Sequence, residues 1–115
     1  MPNFLIIDDE VDTWRVLNAI LRKYGLKTCY VGTLEAAKRK LKRKTPSLIF
    51  LDNHLPDGYG IYFIQYVRKQ YPQVKIVFIT GQDLESGKAV EEGADLFIEK
   101  PFSRHKVYEA LKALL

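Results

Sequence analysis

Five short apolar runs recur along this chain, and each is followed by a stretch with helical spacing. The runs are Phe4 to Ile7, Thr28 to Val31, Leu48 to Leu51, Ile76 to Ile79 and Leu96 to Ile98. Several are rich in β-branched residues, and they do not alternate polar with apolar. A strand reads this way when both of its faces are buried, as in a parallel sheet. Leu17, Ile20, Leu21 and Tyr24 fall at i, i+3, i+4 and i+7, as do Val107, Ala110, Leu111 and Leu114, which predicts two amphipathic helices. Leu34, Ala37 and Leu41 predict another, opened by Thr33 as its N-cap, while Ile64, Val67 and Tyr71 predict one that stops before Pro72. A weaker helix is expected near Leu84 to Glu92, ending at Gly93. Strand followed by helix, five times over, predicts an α/β fold. The sheet is doubly wound and parallel, and right-handed crossovers place helices on both of its faces. Such sheets bind ligands beyond the carboxyl ends of their strands.

The 115 residues leave room for one core, so a single domain over residues 1–115 is expected, without a second module. A hydrophobic fraction of 47% beside 28% charged residues is too apolar for intrinsic disorder. The apolar runs are far shorter than the roughly 20 residues that span a bilayer, so no membrane segment is expected. Met1-Pro2-Asn3-Phe4 lacks the basic stretch and apolar core of a secretory signal, which predicts a cytoplasmic chain. Cys29, the single cysteine, makes no intrachain disulfide and is read as a small core hydrophobe at the end of the second strand. The net charge of +4 points at first to nucleic acid.

The predicted strand ends point elsewhere. The first is followed by Asp8-Asp9-Glu10 and the third by Asp52, while the fourth ends at Thr80 and the fifth at Lys100-Pro101. All meet at one edge of the sheet. Carboxylates held together repel one another unless a cation joins them, so Asp8, Asp9 and Asp52 predict a metal site, and oxygen ligands with room for water suit Mg²⁺. Thr80 adds a hydroxyl and Lys100 an ammonium. That set suits a phosphoryl group, which needs its charge neutralised, a donor to an equatorial oxygen and an in-line nucleophile such as a carboxylate.

These residues resemble those of the bacterial two-component response regulator receiver domain, of the single-domain, chemotaxis-regulator-like kind. The match spans the chain and rests on five motifs in order. They are Asp8-Asp9, then Asp52 followed by Pro56 and Gly60, Thr80-Gly81, Gly93-Ala94-Asp95 and Lys100-Pro101-Phe102. The resemblance implies a flavodoxin-like sheet of five strands in the order 2-1-3-4-5 with five helices on two faces. It implies a phosphoacceptor switch rather than an enzyme, with Asp52 taking a phosphoryl group from a histidine kinase or phosphotransfer protein. Asp9, Asp52 and the backbone carbonyl of His54 would hold Mg²⁺, with Asp8 acting through water. Thr80 and Lys100 would grip the phosphoryl oxygens, and Phe97 would relay the change to the face of helix four, strand five and helix five. His54 and Gln82 would tune the loss of phosphate, and a cis peptide before Pro101 would aim Lys100 inward. The output is a downstream protein or a fused domain. Two features depart from the family pattern: the stretch from Thr80 to Lys100 is slightly short, which puts a full fourth helix in question, and Phe97 lacks the hydroxyl of the commoner tyrosine.

Other readings weigh less. A haloacid-dehalogenase-like phosphohydrolase needs a second Asp two residues after the nucleophile, where this chain has His54, and a substrate cap for which it is too short. A flavin carrier needs a phosphate-binding loop after the first strand, where acids stand instead. A receiver-like module that only binds partners conflicts with a complete set of site residues. Asp57-Gly58 reads as a turn, His105 as solvated, and Trp14 as packing beside the acidic pair or as an optical reporter of it. The run Lys38 to Lys44 holds six positive charges around Leu41; leaving those six out turns the net charge from +4 to −2. Cations suit a helix C-terminus, so this run is a solvated face or the site of an acidic partner, and without interleaved aromatics direct nucleic-acid binding is not expected.

Overall fold

In a computed structural model, which describes residues 3–81 and 86–115, the five apolar runs form one parallel sheet. The elements are β1 (Asn3–Ile7), α1 (Val11–Arg22), β2 (Lys27–Val31), α2 (Leu34–Arg43), β3 (Leu48–Asp52), β4 (His54–Leu55), β5 (Gly58–Tyr59), α3 (Gly60–Gln70), β6 (Lys75–Thr80), α4 (Ser86–Glu91), β7 (Leu96–Glu99) and α5 (Arg104–Leu114). The sheet order is β2-β1-β3-β6-β7, which is the expected 2-1-3-4-5 once the small β4–β5 hairpin is set aside. That hairpin occupies the stretch read from sequence as a plain turn at Asp57-Gly58.

The three central strands, β1, β3 and β6, divide their side chains between two cores, which is why their sequences do not alternate. Leu5, Ile7, Ile49, Leu51, Ile76 and Phe78 pack with Ala37 and Leu41 of α2 and with Ile61, Ile64 and Val67 of α3. Phe4, Ile6, Leu48, Phe50, Val77 and Ile79 pack with Leu17 and Leu21 of α1 and with Val107 and Leu111 of α5. Burying a side chain of this size contributes about 1.5–3 kcal/mol, so both helical layers are held chiefly by these contacts.

Several local expectations change. Tyr24 does not continue the buried stripe of α1: the helix ends at Arg22, and Tyr24 lies largely exposed, stacked 5.8 Å from Tyr108 of α5. Cys29 sits in the middle of β2, half-buried, rather than at its end. Thr33 does cap α2, its hydroxyl accepting from the N–H of Ala36 at 3.1 Å. The described part of the fourth helix is the six residues of α4, and Leu84, where the helix was expected to begin, lies outside the described residues. An unforeseen clamp joins α3 to β6 and β7. Arg68 donates to the carbonyls of Gly93 and Val74 and pairs with Asp95, whose carboxylate accepts from the N–H of Ile76 at 2.8 Å. Gly93 has a φ of +117°, and a Cβ there would lie 2.9 Å from the Arg68 side chain, so the Gly-Ala-Asp motif is a packing device.

Candidate functional site

The parallel register carries the polar strand ends to one edge. Ile7 pairs with Leu51, Asp52 with Ile79 and Thr80 with Glu99, so Asp8, Asp52, Thr80 and Lys100 arrive on four neighbouring strands. Asp8 is fully buried, and Asp52 and Thr80 are 5% and 1% exposed, while Asp9 and Glu10 face solvent. Buried carboxylates need partners; Asp8 Oδ1 accepts from the N–H of Glu10 at 2.8 Å, and the cation shared by Asp8 and Asp52 is Lys100. Its ammonium lies 3.3 Å from Asp8 Oδ2, 3.3 Å from Asp52 Oδ1 and 3.5 Å from Glu10 Oε1. The backbone N–H of Lys100 donates to the Thr80 carbonyl at 2.8 Å, and the Lys100–Pro101 peptide is cis, as expected.

One ammonium does not balance four carboxylates. Burial pushes the Asp52 carboxyl up to about 6; the charge of Asp8 adds to this, and Lys100 offsets it only in part. For Lys100 burial acts downward, but the charges of Asp52 and Asp8 outweigh it and hold its ammonium above the ordinary range. Trp14 packs 5.9 Å from the ring of Tyr30, whose phenol is held above its usual range by burial and then by Asp8 and Asp9. Carboxylate oxygens of Asp8, Asp9 and Glu10 lie within 4.8 Å of one another. A cluster of hard oxygen donors with surplus negative charge fits a divalent cation such as Mg²⁺, and Asp52 adjoins it through Lys100.

The loop after Asp52 is shaped to hold that residue in place. Asn53, 3% exposed, accepts from the N–H groups of Gly60 and Ile61 through its backbone and side-chain oxygens at 2.7 and 3.0 Å, and so caps α3. A Cβ on Gly60 would lie 2.1 Å from the Asp52 carbonyl oxygen, so only glycine lets α3 begin this close. Asp57 is more than a turn residue. Its carboxylate accepts from the N–H groups of Leu34 and Glu35 at 2.9 and 3.0 Å, which ties the loop to the start of α2 and holds its carboxyl below the usual range.

The other expected positions divide. His54 is exposed in β4, two residues after Asp52, with its ring edge-on to Tyr59 at 5.7 Å. Phe97 is 41% exposed on β7 and lines a groove of about 360 Å³ with Lys106 and Glu109 of α5. Gln82 lies outside the described residues. His105 is exposed, 3.9 Å from Glu109. Glu10 and Asn53 join the site beyond the residues expected from sequence. The signal for Glu10 is the unbroken acidic run Asp8-Asp9-Glu10; nothing in the local sequence marks Asn53 as a cap seven residues ahead of its helix.

A family model described as the response regulator receiver domain matches residues 4–112. The chain is 38% identical over 122 residues to the KDP operon transcriptional regulatory protein KdpE of Escherichia coli (strain K12), a match that takes in 100% of this chain and 52% of that protein. It spans about half the length of the curated relatives it matches first. Among solved structures it is similar to the receiver domain of NtrX from Brucella abortus, at 31% identity and a TM-score of 0.89 over 96% of this chain and 97% of that one. It is similar also to the beryllofluoride-activated NtrC4 receiver domain dimer, at 34% identity and a TM-score of 0.92 over 99% and 96% of the two chains. With the parallel sheet, the acidic edge and the lysine at the end of its last strand, these likenesses lead to one conclusion: the chain belongs to the response regulator receiver domain family, whose members are signalling phosphoacceptors and not enzymes.

Proposed function

We propose that the chain is a phosphoacceptor switch in which Asp52 takes a phosphoryl group from the phosphohistidine of a partner kinase or phosphotransfer protein. One observation carries this reading: Lys100 lies 3.3 Å from both Asp52 and the buried Asp8, beside Thr80, at a single edge of the sheet. In the step itself an Asp52 oxygen attacks phosphorus, the P–N bond of the donor breaks, and the leaving imidazole keeps the electron pair. The nucleophile must be ionised. With a carboxyl titrating at about 6, most of Asp52 is charged at neutral pH even in the metal-free protein.

Asp9, Asp52 and the His54 carbonyl would hold Mg²⁺, with Asp8 reaching it through water. When bound, the ion neutralises charge on the phosphoryl oxygens and holds Asp52 ionised. Lys100 then exchanges its carboxylate contacts for a phosphoryl oxygen, and Thr80 donates to another. Phe97, exposed on the edge strand, has the position from which an inward rotation would reshape the face made by α4, β7 and α5. The change is a shift between two packings, as large as the phosphoryl group's preference for one of them. Beryllofluoride, an activator of the similar NtrC4 receiver, is a phosphoryl mimic and supports the same chemistry here. KdpE is a transcriptional regulator twice this length, which supports a downstream output in a fused domain or a separate protein. A cytoplasmic location follows from such partners.

The test is incubation with acetyl phosphate and Mg²⁺ followed by intact-mass measurement. One added phosphate, absent from Asp52→Asn and from samples without Mg²⁺, is the expected result. An unmodified wild-type chain would leave a receiver-like interaction module as the function, and turnover of phosphate esters without an adduct would point to a hydrolase.

A further inference from the structure

Four of the seven tyrosines, Tyr59, Tyr62, Tyr66 and Tyr71, fall on α3 and its two ends. They make a line of ring contacts on the outer side of the helix. Tyr59 meets Tyr62 at 6.3 Å, Phe63 stacks on Tyr66 at 5.2 Å, and Tyr66 meets Tyr71 at 6.4 Å. Tyr59 and Tyr62 are 54% and 65% exposed. Tyr66 and Tyr71 are half-buried against the core, and the two adjoining exposed rings, Tyr59 and Tyr62, extend that apolar surface into solvent, as a surface that meets a partner does. Across from it runs α2, and the two helices enclose an open groove of about 390 Å³ floored by Leu34, Phe63 and Tyr66. The groove is flanked by cations. Lys38 lines it, with Nζ 5.0 Å from the centre of the Tyr66 ring, and Lys88 lines the neighbouring pocket that shares Tyr59 and Tyr62, with Nζ 5.8 Å from the Tyr62 ring. Lys42 follows Lys38 by one helical turn on the same side of α2. The groove's own acids are engaged: Glu35 pairs with Arg39 at 3.5 Å, and Asp57 accepts from the N–H groups that open α2.

We propose that this α2–α3 groove is a docking surface for an acidic segment of a partner protein. The partner's carboxylates would meet Lys38, Lys42 and Lys88, and an apolar side chain would seat against Tyr59 and Tyr62. Charge selects the occupant. A second copy of this face would bring lysine against lysine, and like charges across an interface repel. A single-stranded nucleic acid carries a phosphate at every nucleotide and would bring some of them past Glu35 and Asp57, whereas a peptide can set an uncharged residue there. Tyrosine beside lysine suits a peptide, since the ring supplies contact area at small entropic cost and the cation supplies the sign. This surface is distinct from the α4, β7 and α5 face and does not depend on the chemistry at Asp52.

The experiment is a selection from a random-peptide display library on the whole chain, counter-selected on the Lys38→Glu/Lys42→Glu variant. Isotope-edited NMR then maps the recovered peptides. Peptides rich in Asp and Glu around an aromatic or aliphatic residue are expected, with shifts at Lys38, Tyr59, Tyr62 and Tyr66. Affinity should fall about tenfold in Lys38→Glu/Lys42→Glu and again in Tyr62→Ala, while the acetyl phosphate adduct at Asp52 forms as in wild type. Neutral or basic peptides, a footprint away from α2 and α3, or binding indifferent to Tyr62 would overturn the proposal. So would tighter binding of oligothymidylate than of the recovered peptides, which would make the face a nucleic-acid surface.

Discussion

The carboxyl edge of the sheet and the far end of α2 both concentrate charge in a few residues, and they differ in what surrounds it. At the edge, Asp8 and Asp52 are buried and share the ammonium of Lys100, so the ionisation of Asp52 depends on which cation is present. At the end of α2, Arg43 and Lys44 are exposed, and water already solvates them. A charge in low dielectric interacts far more strongly with its neighbours than the same charge in water. Charge density alone therefore says little. The larger basic cluster dominates the net charge, while the smaller acidic one carries the proposed chemistry.

The difference can be pressed hardest at Gly60. In Gly60→Ala the new Cβ meets the Asp52 carbonyl at 2.1 Å, and backbone must move to relieve it. A loss of about 3 kcal/mol in urea unfolding, together with a large fall in acetyl phosphate labelling, is expected. Wild-type stability and labelling in that variant would mean that α3 adjusts freely and that the Asp52 loop is not held as the structure has it.

Asp52→Asn should do the opposite to stability. The carboxyl of Asp52 titrates at about 6 in the metal-free fold, above the ordinary carboxylate range of the unfolded chain. The folded state thus binds the extra proton, and wild type loses stability as pH rises from about 4 through 6. The neutral amide escapes this loss. Metal-free Asp52→Asn is expected to be more stable than wild type by about 1–3 kcal/mol at pH 7, with the gap closing toward pH 4. Mg²⁺ should raise the Tm of wild type and leave that of the variant nearly unmoved. A gap that is constant with pH would remove the electrostatic account of the edge.

At the other end of the comparison, Arg43→Glu with Lys44→Glu replaces cations by anions at the end of α2. Only the helix dipole opposes the change, so a loss of about 0.5 kcal/mol at low salt, shrinking at high salt, is expected. A loss above about 2 kcal/mol would show that these exposed charges are coupled to the fold as closely as the buried ones.

Much of this architecture could be read in advance because it rests on side-chain periodicity. Leu48 to Leu51 divide between two cores, and a run with no polar alternation has few other ways to be satisfied. Asp8, Asp52, Thr80 and Lys100 were legible for the same reason, since a parallel sheet brings its carboxyl ends together. What the chain did not reveal lies between elements. Arg68 reaches Gly93 and Asp95, and Asp57 reaches the start of α2, over sequence separations of more than 20 residues. Tyr24 departs from its helical stripe because α1 ends before the stripe does.

The order of residues by itself therefore determined the alternation of strand and helix, the sheet they build and the edge at which the charged groups meet, because hydrophobic period and chain chirality act locally. Only the tertiary structure decided that Lys100 bridges Asp8 and Asp52, that Asn53 and Asp57 cap helices, and that tyrosines of α3 face lysines of α2 and α4. Such contacts depend on the distance and direction between packed elements, which no local pattern encodes.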